Sequence, residues 1–401
     1  MQETGLFSGI GEFRHPRVFR QARPLGRRRA HHYFNTGDLG MRFLNYAAAV
    51  LAVCGMALSP LASSAHAEEA AKKIKVGFIY VSPVGDEGWS WTHDQGRKMM
   101  DEMPDVETTM MESVPEGPDA ERAIKNMCSK GYNVIVATSF GYMDAMAKMA
   151  KRNPKVTFLH CSGYKHSENM TCYFGRMYQA RYLTGMVAGA MTKKNEIGYV
   201  ASFPIPEVVR GINAFTLGVR AVNPDAKVRV VWTRTWYSPD DEKKAAEGLL
   251  DVGVDVIAQH QDSAGPQTAA EARGAYSVGY NTDMSAAAPK AHLVAAVWDW
   301  NKFYKKFIDE YRAGTWKNGN YWYGIKDGIV DISRYGDMVP ADVRAKVDAM
   351  KADIISGKYQ VFTGPVKDQE GKVRVAEGQV APDDMLLSMD WFVEGVIGTT
   401  K

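Results

Sequence analysis

Between Lys75 and Trp91 the chain reads KVGFIYVSPVGDEGWSW, and its end brings the carboxylates of Asp86 and Glu87 next to the indoles of Trp89 and Trp91. Indole faces stack on flat or weakly polar rings, and carboxylates accept hydrogen bonds from N–H and O–H groups, so this is the chemistry of holding a small molecule. Residues of the same types recur further on: Tyr80; Phe140 and Tyr142; Trp236; Gln261 and Asp262; Tyr280, Asn281 and Asp283; Trp298, Asp299 and Trp300; Lys326 and Asp327. Each has an ordinary structural explanation as well. One of the two tryptophans of the first loop can be core while Asp86 and Glu87 only start a helix. Trp298 and Trp300 alternate along a strand, so one of them can be core. Asp283 suits a helix N-cap, and Asp327, before Gly328, suits a turn. What favours a binding cleft is that these residues all stand near the ends of predicted strands.

The elements that must position them follow from hydrophobic pattern. Apolar runs rich in β-formers cover 75–80, 108–113, 132–138, 156–161 and 170–174. Helical spacing over 91–102, 119–130 and 143–152 connects the first four. A second series follows, with strands at 196–201, 227–233, 254–260 and 275–280 and helices at 206–222, 240–252 and 267–273. Strands alternating with helices give parallel sheets joined by right-handed crossovers, and two such series in succession give two doubly wound lobes. In open sheets of this kind ligands sit beyond the carboxyl ends of the strands, where the aromatic and acidic residues gather.

Several function classes are excluded or lose support. The first strand is followed by no GxGxxG and no GxxxxGK[ST], which removes the usual dinucleotide and P-loop phosphate sites. No Gly-x-Ser-x-Gly elbow is present. There is no CxxC, and the histidines past residue 67 (His93, His160, His166, His260, His292) are scattered, so neither a metal nor a cofactor is expected. Met41 to Tyr46, the apolar segment 47–58 and Ser63-Ser64-Ala65-His66-Ala67 form a secretory signal peptide with cleavage expected after Ala67. Residues 1–40 hold seven arginines and no hydrophobic periodicity, and read as a mis-annotated upstream segment. A lipid-modified Cys54 is the alternative to cleavage at Ala67, disfavoured by the bulk of Val53 before it. The segment 1–67 carries eight Arg and three acids, a net of +5, against +3 for the whole chain, so the remainder is −2. No basic stripe remains, and nucleic-acid binding has no electrostatic footprint. Export allows a disulfide; Cys161 and Cys172 lie on neighbouring predicted strands and could pair, and three free thiols with Cys128 are the equal alternative.

Blocks in order carry a family resemblance: GDEGWSW, VIVATSFGYMDAM (134–146), TCYFGRMYQARYLTGMVAGAM, the stretch KNEIGYVASFPIPEVVRGINAFTLGVRAVNP, GVDVIAQHQD (253–262), SVGYNTDM (277–284) and GIKDGIVDI (324–332). Over residues 74–335 the chain resembles the basic membrane protein family of periplasmic substrate-binding proteins, which includes purine nucleoside receptors. The resemblance implies an α/β type I periplasmic binding protein, two doubly wound parallel-sheet lobes joined by a multi-strand hinge with three crossovers. The N-terminal lobe is then 74–176 plus about 298–316, and the C-terminal lobe 177–297 plus about 317–401. The tail is expected to hold a helix from Ala341 to Ser356 with an apolar face (Val343, Val347, Met350, Ile354, Ile355), a hairpin around 368–372 and a last helix near 389–396. Family receptors often read Asp-Lys-Ser-Phe-Asn after the first strand. Here Trp89 stands for the stacking phenylalanine and Ser90 for the asparagine, which favours a free, adenine-like base over a nucleoside.

The implied partners are a small purine ligand and an ABC permease of the inner membrane, with the receptor a periplasmic monomer that binds no nucleic acid. The physics suits a purine, whose two π faces stack for about 1–3 kcal/mol and whose edge of donors and acceptors is read by acids and amides. The site residues so nominated are Tyr80, Trp89, Trp91, Phe140, Trp236, Asp262, Asp283, Trp298, Asp299, Lys326 and Asp327. A sugar receptor of the same fold is the nearest rival, since sugars also stack on tryptophan. An exported nucleoside-processing enzyme is less supported, for want of a metal or nucleophile motif.

Overall fold

The computed structural model describes residues 73–401; the segment 1–40, the signal peptide expected over 41–67 and Cys54 lie outside the described residues. The chain runs β1 (Ile74–Ile79), α1 (Trp89–Asp101), β2 (Val106–Met111), α2 (Pro118–Ser129), β3 (Val134–Ala137), α3 (Met143–Arg152), β4 (Thr157–Cys161) and β5 (Met170–Gly175). It continues through α4 (Met177–Met191), β6 (Glu196–Ala201), α5 (Pro206–Val222), β7 (Lys227–Trp232), α6 (Pro239–Asp251), β8 (Val256–His260), α7 (Gly265–Ala272), β9 (Tyr276–Asn281) and β10 (His292–Trp298). Then come α8 (Trp300–Arg312), β11 (Asn320–Tyr323), β12 (Val330–Ile332) and α9 (Ala341–Ile355). The tail holds β13 (Val366–Lys367), β14 (Val373–Val375), α10 (Asp383–Leu387) and β15 (Val396–Ile397).

Two sheets result. The first has the order β2-β1-β3-β4-β5-β11, with every pairing parallel. The second has the order β15-β7-β6-β8-β9-β10-β12, in which β12 alone runs antiparallel. Strands such as β3 (VIVA) and β5 (MTCYFG) are buried along their whole length, the mark of parallel strands covered on both faces. Along β1 and just past it the side chains alternate: Val76, Phe78 and Tyr80 enter the larger core, and Ile79 packs among residues of α2 and α3. The chain passes between the sheets three times, after β5, after β10 and after β11.

Four sequence expectations shift. β11 pairs with β5 (Asn320 opposite Cys172), so the return to the first sheet extends to Tyr323 rather than ending near 316. Trp298 and Trp300 do not share a strand: one ends β10, the other begins α8, and their rings stack at 4.8 Å. No helix spans 389–396. The buried Asn213 amide donates to the Trp391 carbonyl (2.8 Å) and accepts from Val393 N–H (2.9 Å), taking backbone groups that a helix would pair internally. On α9, Val347 and Ile354 are buried but Ile355 is exposed.

The thiols are resolved by register. Cys172 stands opposite His160, and Cys161 opposite Tyr173. With alternating side chains, the two sulfurs fall on opposite faces of the sheet, Cys161 in the larger core and Cys172 among residues of α2 and α3. Both are free thiols, as is Cys128, and the Cys172 thiol donates to the Lys165 carbonyl at 2.7 Å.

Candidate ligand-binding site

In each sheet the strand order reverses once, between β1 and β3 and again between β6 and β8. Loops leaving the two strands at such a point diverge and open a crevice. The two crevices meet in a cavity with about 320 Å³ of empty space, its opening to solvent included. From the first lobe come Val81 and Trp89 after β1, Thr138, Ser139 and Phe140 after β3, and Ser162 after β4. From the second come Glu207 after β6, Trp236 after β7, His260 and Asp262 on and after β8, and Tyr280 on β9.

The lobes touch beside this cavity. Thr282 Oγ1 donates to the Glu87 carbonyl. Gly88 lies so close to the Asp262 backbone that a Cβ there would stand 2.1 Å from its carbonyl oxygen. Only glycine permits this approach, and the cleft is closed at that edge.

Aromatic rings set the walls. Trp89 is the first residue of α1 and 7% exposed; its indole N–H donates to the Thr138 carbonyl. Behind it stand Trp298 (5.6 Å) and Trp300 (5.8 Å), both edge-on, so the ring is held from the back by other aromatics. Trp236 leans on Phe203 at 5.0 Å. Tyr280 rests on the Arg181 guanidinium, 3.8 Å from the ring centre, and Arg181 is itself wholly buried and donates to the Gln259 carbonyl.

The polar groups are fixed by relays. Trp298 Nε1 donates to Asn281 Oδ1 (3.1 Å), and Asn281 Nδ2 donates to Asp262 Oδ1 (2.9 Å). Opposite, Glu207 Oε1 lies 3.5 Å from His260 Nε2. Burial raises the Glu207 carboxyl to about 7, against the pull of Arg210 and Arg181. Burial also takes His260 well below its usual value, reinforced by Arg181 and Arg210, so the imidazole is neutral at pH 7. The two groups are therefore a neutral imidazole beside a carboxyl that titrates near neutrality, not a salt bridge. Glu207 can donate or accept near neutrality, whereas the Asn281 relay presents Asp262 with one oxygen already engaged.

Of the nominated residues, the fold brings Trp89, Phe140, Trp236 and Asp262 to the cavity. Trp298 supports it from behind through Asn281. Tyr80 does not reach it: just past β1 it keeps to the same core as Phe78, is fully buried, and its hydroxyl donates to Asp94 at 3.4 Å. Trp91 is turned about 200° from Trp89 around α1 and is 36% exposed. Asp283 is drawn to Arg334 (3.2 Å) and His292 (3.8 Å). Asp299 precedes α8 and faces Lys302 at 3.6 Å. Lys326 and Asp327 are exposed, and the Asp327 carboxylate caps Gly324 N–H at 2.7 Å, the turn role its sequence position also suited. Glu207 and His260 were not nominated. Glu207 follows Pro206 in a first helical turn, where an acid is ordinarily read as a partner of the helix dipole. His260 ends a strand two residues before Asp262, and that position is the available signal.

Two wound lobes closing on an aromatic cavity with a few fixed polar groups define a small-molecule binding protein of the periplasmic receptor type. The sequence matches the PnrA-like ABC transporter substrate-binding protein family over residues 73–363, and the chain belongs to that family. It is 46% identical to a purine-binding protein of Brucella abortus, over 84% of this chain and 95% of that relative. It is 38% identical to a putative ABC transporter glucose-binding protein of Haloferax volcanii, over 81% of each chain. A solved ABC transporter solute-binding protein from Aeropyrum pernix shares the fold, with a TM-score of 0.65 at 19% identity over 74% of this chain and 93% of its own. The family is one of substrate-binding proteins rather than enzymes, so the chain is a receptor that takes a small molecule and works with an ABC permease.

Proposed function

We propose that this receptor binds a purine in the interlobe cavity, an adenine-like base before a nucleoside, and delivers it as a periplasmic monomer to its permease. The observation that carries this reading is the pairing of ring walls with a short polar edge: Trp89, Phe140 and Trp236 around Asp262, Glu207 and neutral His260. Flat rings supply stacking faces worth about 1–3 kcal/mol each. Asp262 suits ring or exocyclic N–H donors, and Glu207 with His260 suits a ring nitrogen or a carbonyl edge. The Brucella relative, named for purine binding, points the same way. The glucose-binding name of the Haloferax relative keeps a sugar as the competing ligand, although a sugar wants a denser ring of hydroxyl partners than these walls offer.

The test is ligand-dependent melting with calorimetric titration. A ligand bound at a hundred times its Kd stabilises the folded state by about 2.7 kcal/mol, so adenine or a related purine is expected to raise the melting temperature clearly. Glucose and ribose should not. The opposite ranking would replace the purine reading by the sugar one. Native mass spectrometry of exported protein should show a purine adduct on a chain beginning at Glu68, and a sugar adduct or a lipid at Cys54 would contradict the corresponding part.

A further inference from the structure

Phe140, Ser162 and Glu207 also line a second, neighbouring chamber, with about 1460 Å³ of empty space including its mouth. Phe174, Asn320 and Trp322 wall it on the side of the first sheet, and Glu207 and Arg210 on the side of the second. The remaining wall is Asp383, Leu387 and Ser388, which lie in the tail beyond the family-matched residues 73–363. We infer that tail residues 383–388 belong to the ligand site, as the wall that sets how large a neutral substituent the bound heterocycle can carry.

The tail is placed firmly enough for that role. The Asp383 carboxylate receives both terminal nitrogens of Arg176, at 2.8 and 2.6 Å, just where the chain first crosses between the sheets. Arg210 Nη1 donates to the Leu386 carbonyl, and Leu386 and Met389 are buried. Trp322 lies 4.1 Å from the Arg176 guanidinium and 4.9 Å from that of Arg210. Charge pairing and a backbone bond thus hold the wall, with both arginines packed on the Trp322 ring. Leu387, by contrast, is 40% exposed and faces the chamber, so it can be exchanged without opening the core.

The chemistry of the lining indicates the kind of substituent. Phe140, Phe174, Trp322 and Leu387 give apolar faces, and Ser162, Asn320 and Ser388 give neutral hydrogen-bonding groups. Arg176 is committed to Asp383, and Arg210 in the wall offsets the partly ionised Glu207, so the lining carries no strong charge of either sign. A neutral, partly hydroxylated group fits.

This inference rests on the purine reading, and the experiment separates the two. Wild type and Leu387→Trp are titrated with adenine and adenosine. Wild type should bind both. Leu387→Trp should leave adenine within about threefold and weaken adenosine at least tenfold. Failure of wild type to bind either adenine or adenosine refutes the purine reading itself; glucose and methyl glucoside then take the places of the unsubstituted and substituted ligands in the same comparison. The inference is overturned if wild type binds only the unsubstituted ligand. It is also overturned if Leu387→Trp changes neither ligand, or weakens both equally.

Discussion

Gly88 offers a direct test of whether ligand affinity depends on closure of the lobes. Replacing it with Ala puts a methyl 2.1 Å from the Asp262 carbonyl oxygen. Ordinary carbon–oxygen approach is about 3.3 Å, so the facing surfaces must retreat by about 1 Å. The two residues sit on different lobes, and a hinge gives way more readily than a packed core. That retreat breaks the Thr282–Glu87 hydrogen bond, worth about 1 kcal/mol, and draws the Trp89 wall back from Asp262. The closed state should lose about 1.5–3 kcal/mol, which enters the apparent Kd through the fraction of closed molecules as a loss of roughly ten- to 150-fold. Titration calorimetry with the purine that binds wild type reads this directly, and small-angle scattering of the liganded variant should show a larger radius. The melting temperature without ligand should stay within about 2 °C, since nothing inside either lobe is disturbed. Unchanged affinity, or a large fall in ligand-free stability, would refute the closure argument.

Two further outcomes follow from the same geometry. Glu207, with its carboxyl raised to about 7 by burial, contributes stability that is complete below the ordinary carboxyl range and lost as pH rises through 7. Wild type should therefore lose roughly 3 kcal/mol relative to Glu207→Gln between about pH 5 and 8, read from urea melts at each pH; parallel curves would disprove it. Trp89→Ala should cost about 3–5 kcal/mol of stability as well as affinity, because the ring is buried against other aromatics. Trp91→Ala should change stability by less than about 0.5 kcal/mol and leave ligand titration unaltered, and the reverse pattern in melts and titrations would exchange their roles.

The alternation of strand and helix was legible because each parallel strand, covered on both faces, must be continuously apolar, and each crossover helix must show one apolar side. Placing aromatic and acidic residues near strand ends follows from the same reading, and it led to Trp89, Phe140, Trp236 and Asp262. Sequence alone could not say which strand-end residues look into the cleft. Trp89 and Trp91 differ by two residues, yet the start of α1 turns one into the cavity and the other outward. Asp283 and Asp299 stand as near strand ends as Asp262, but Arg334 and Lys302 engage them elsewhere. The free thiols depended on a one-residue register between β4 and β5, and the tail on the Asn213 amide, about 180 residues away in sequence. Glu207 and His260 became a matched pair only through the burial of both against Arg181 and Arg210. Local pattern determines which elements form, because hydrogen bonding and burial within an element depend on neighbours in sequence. Facing, register and proton affinity belong to the tertiary structure, because they depend on groups the chain brings together only when both lobes are folded and closed.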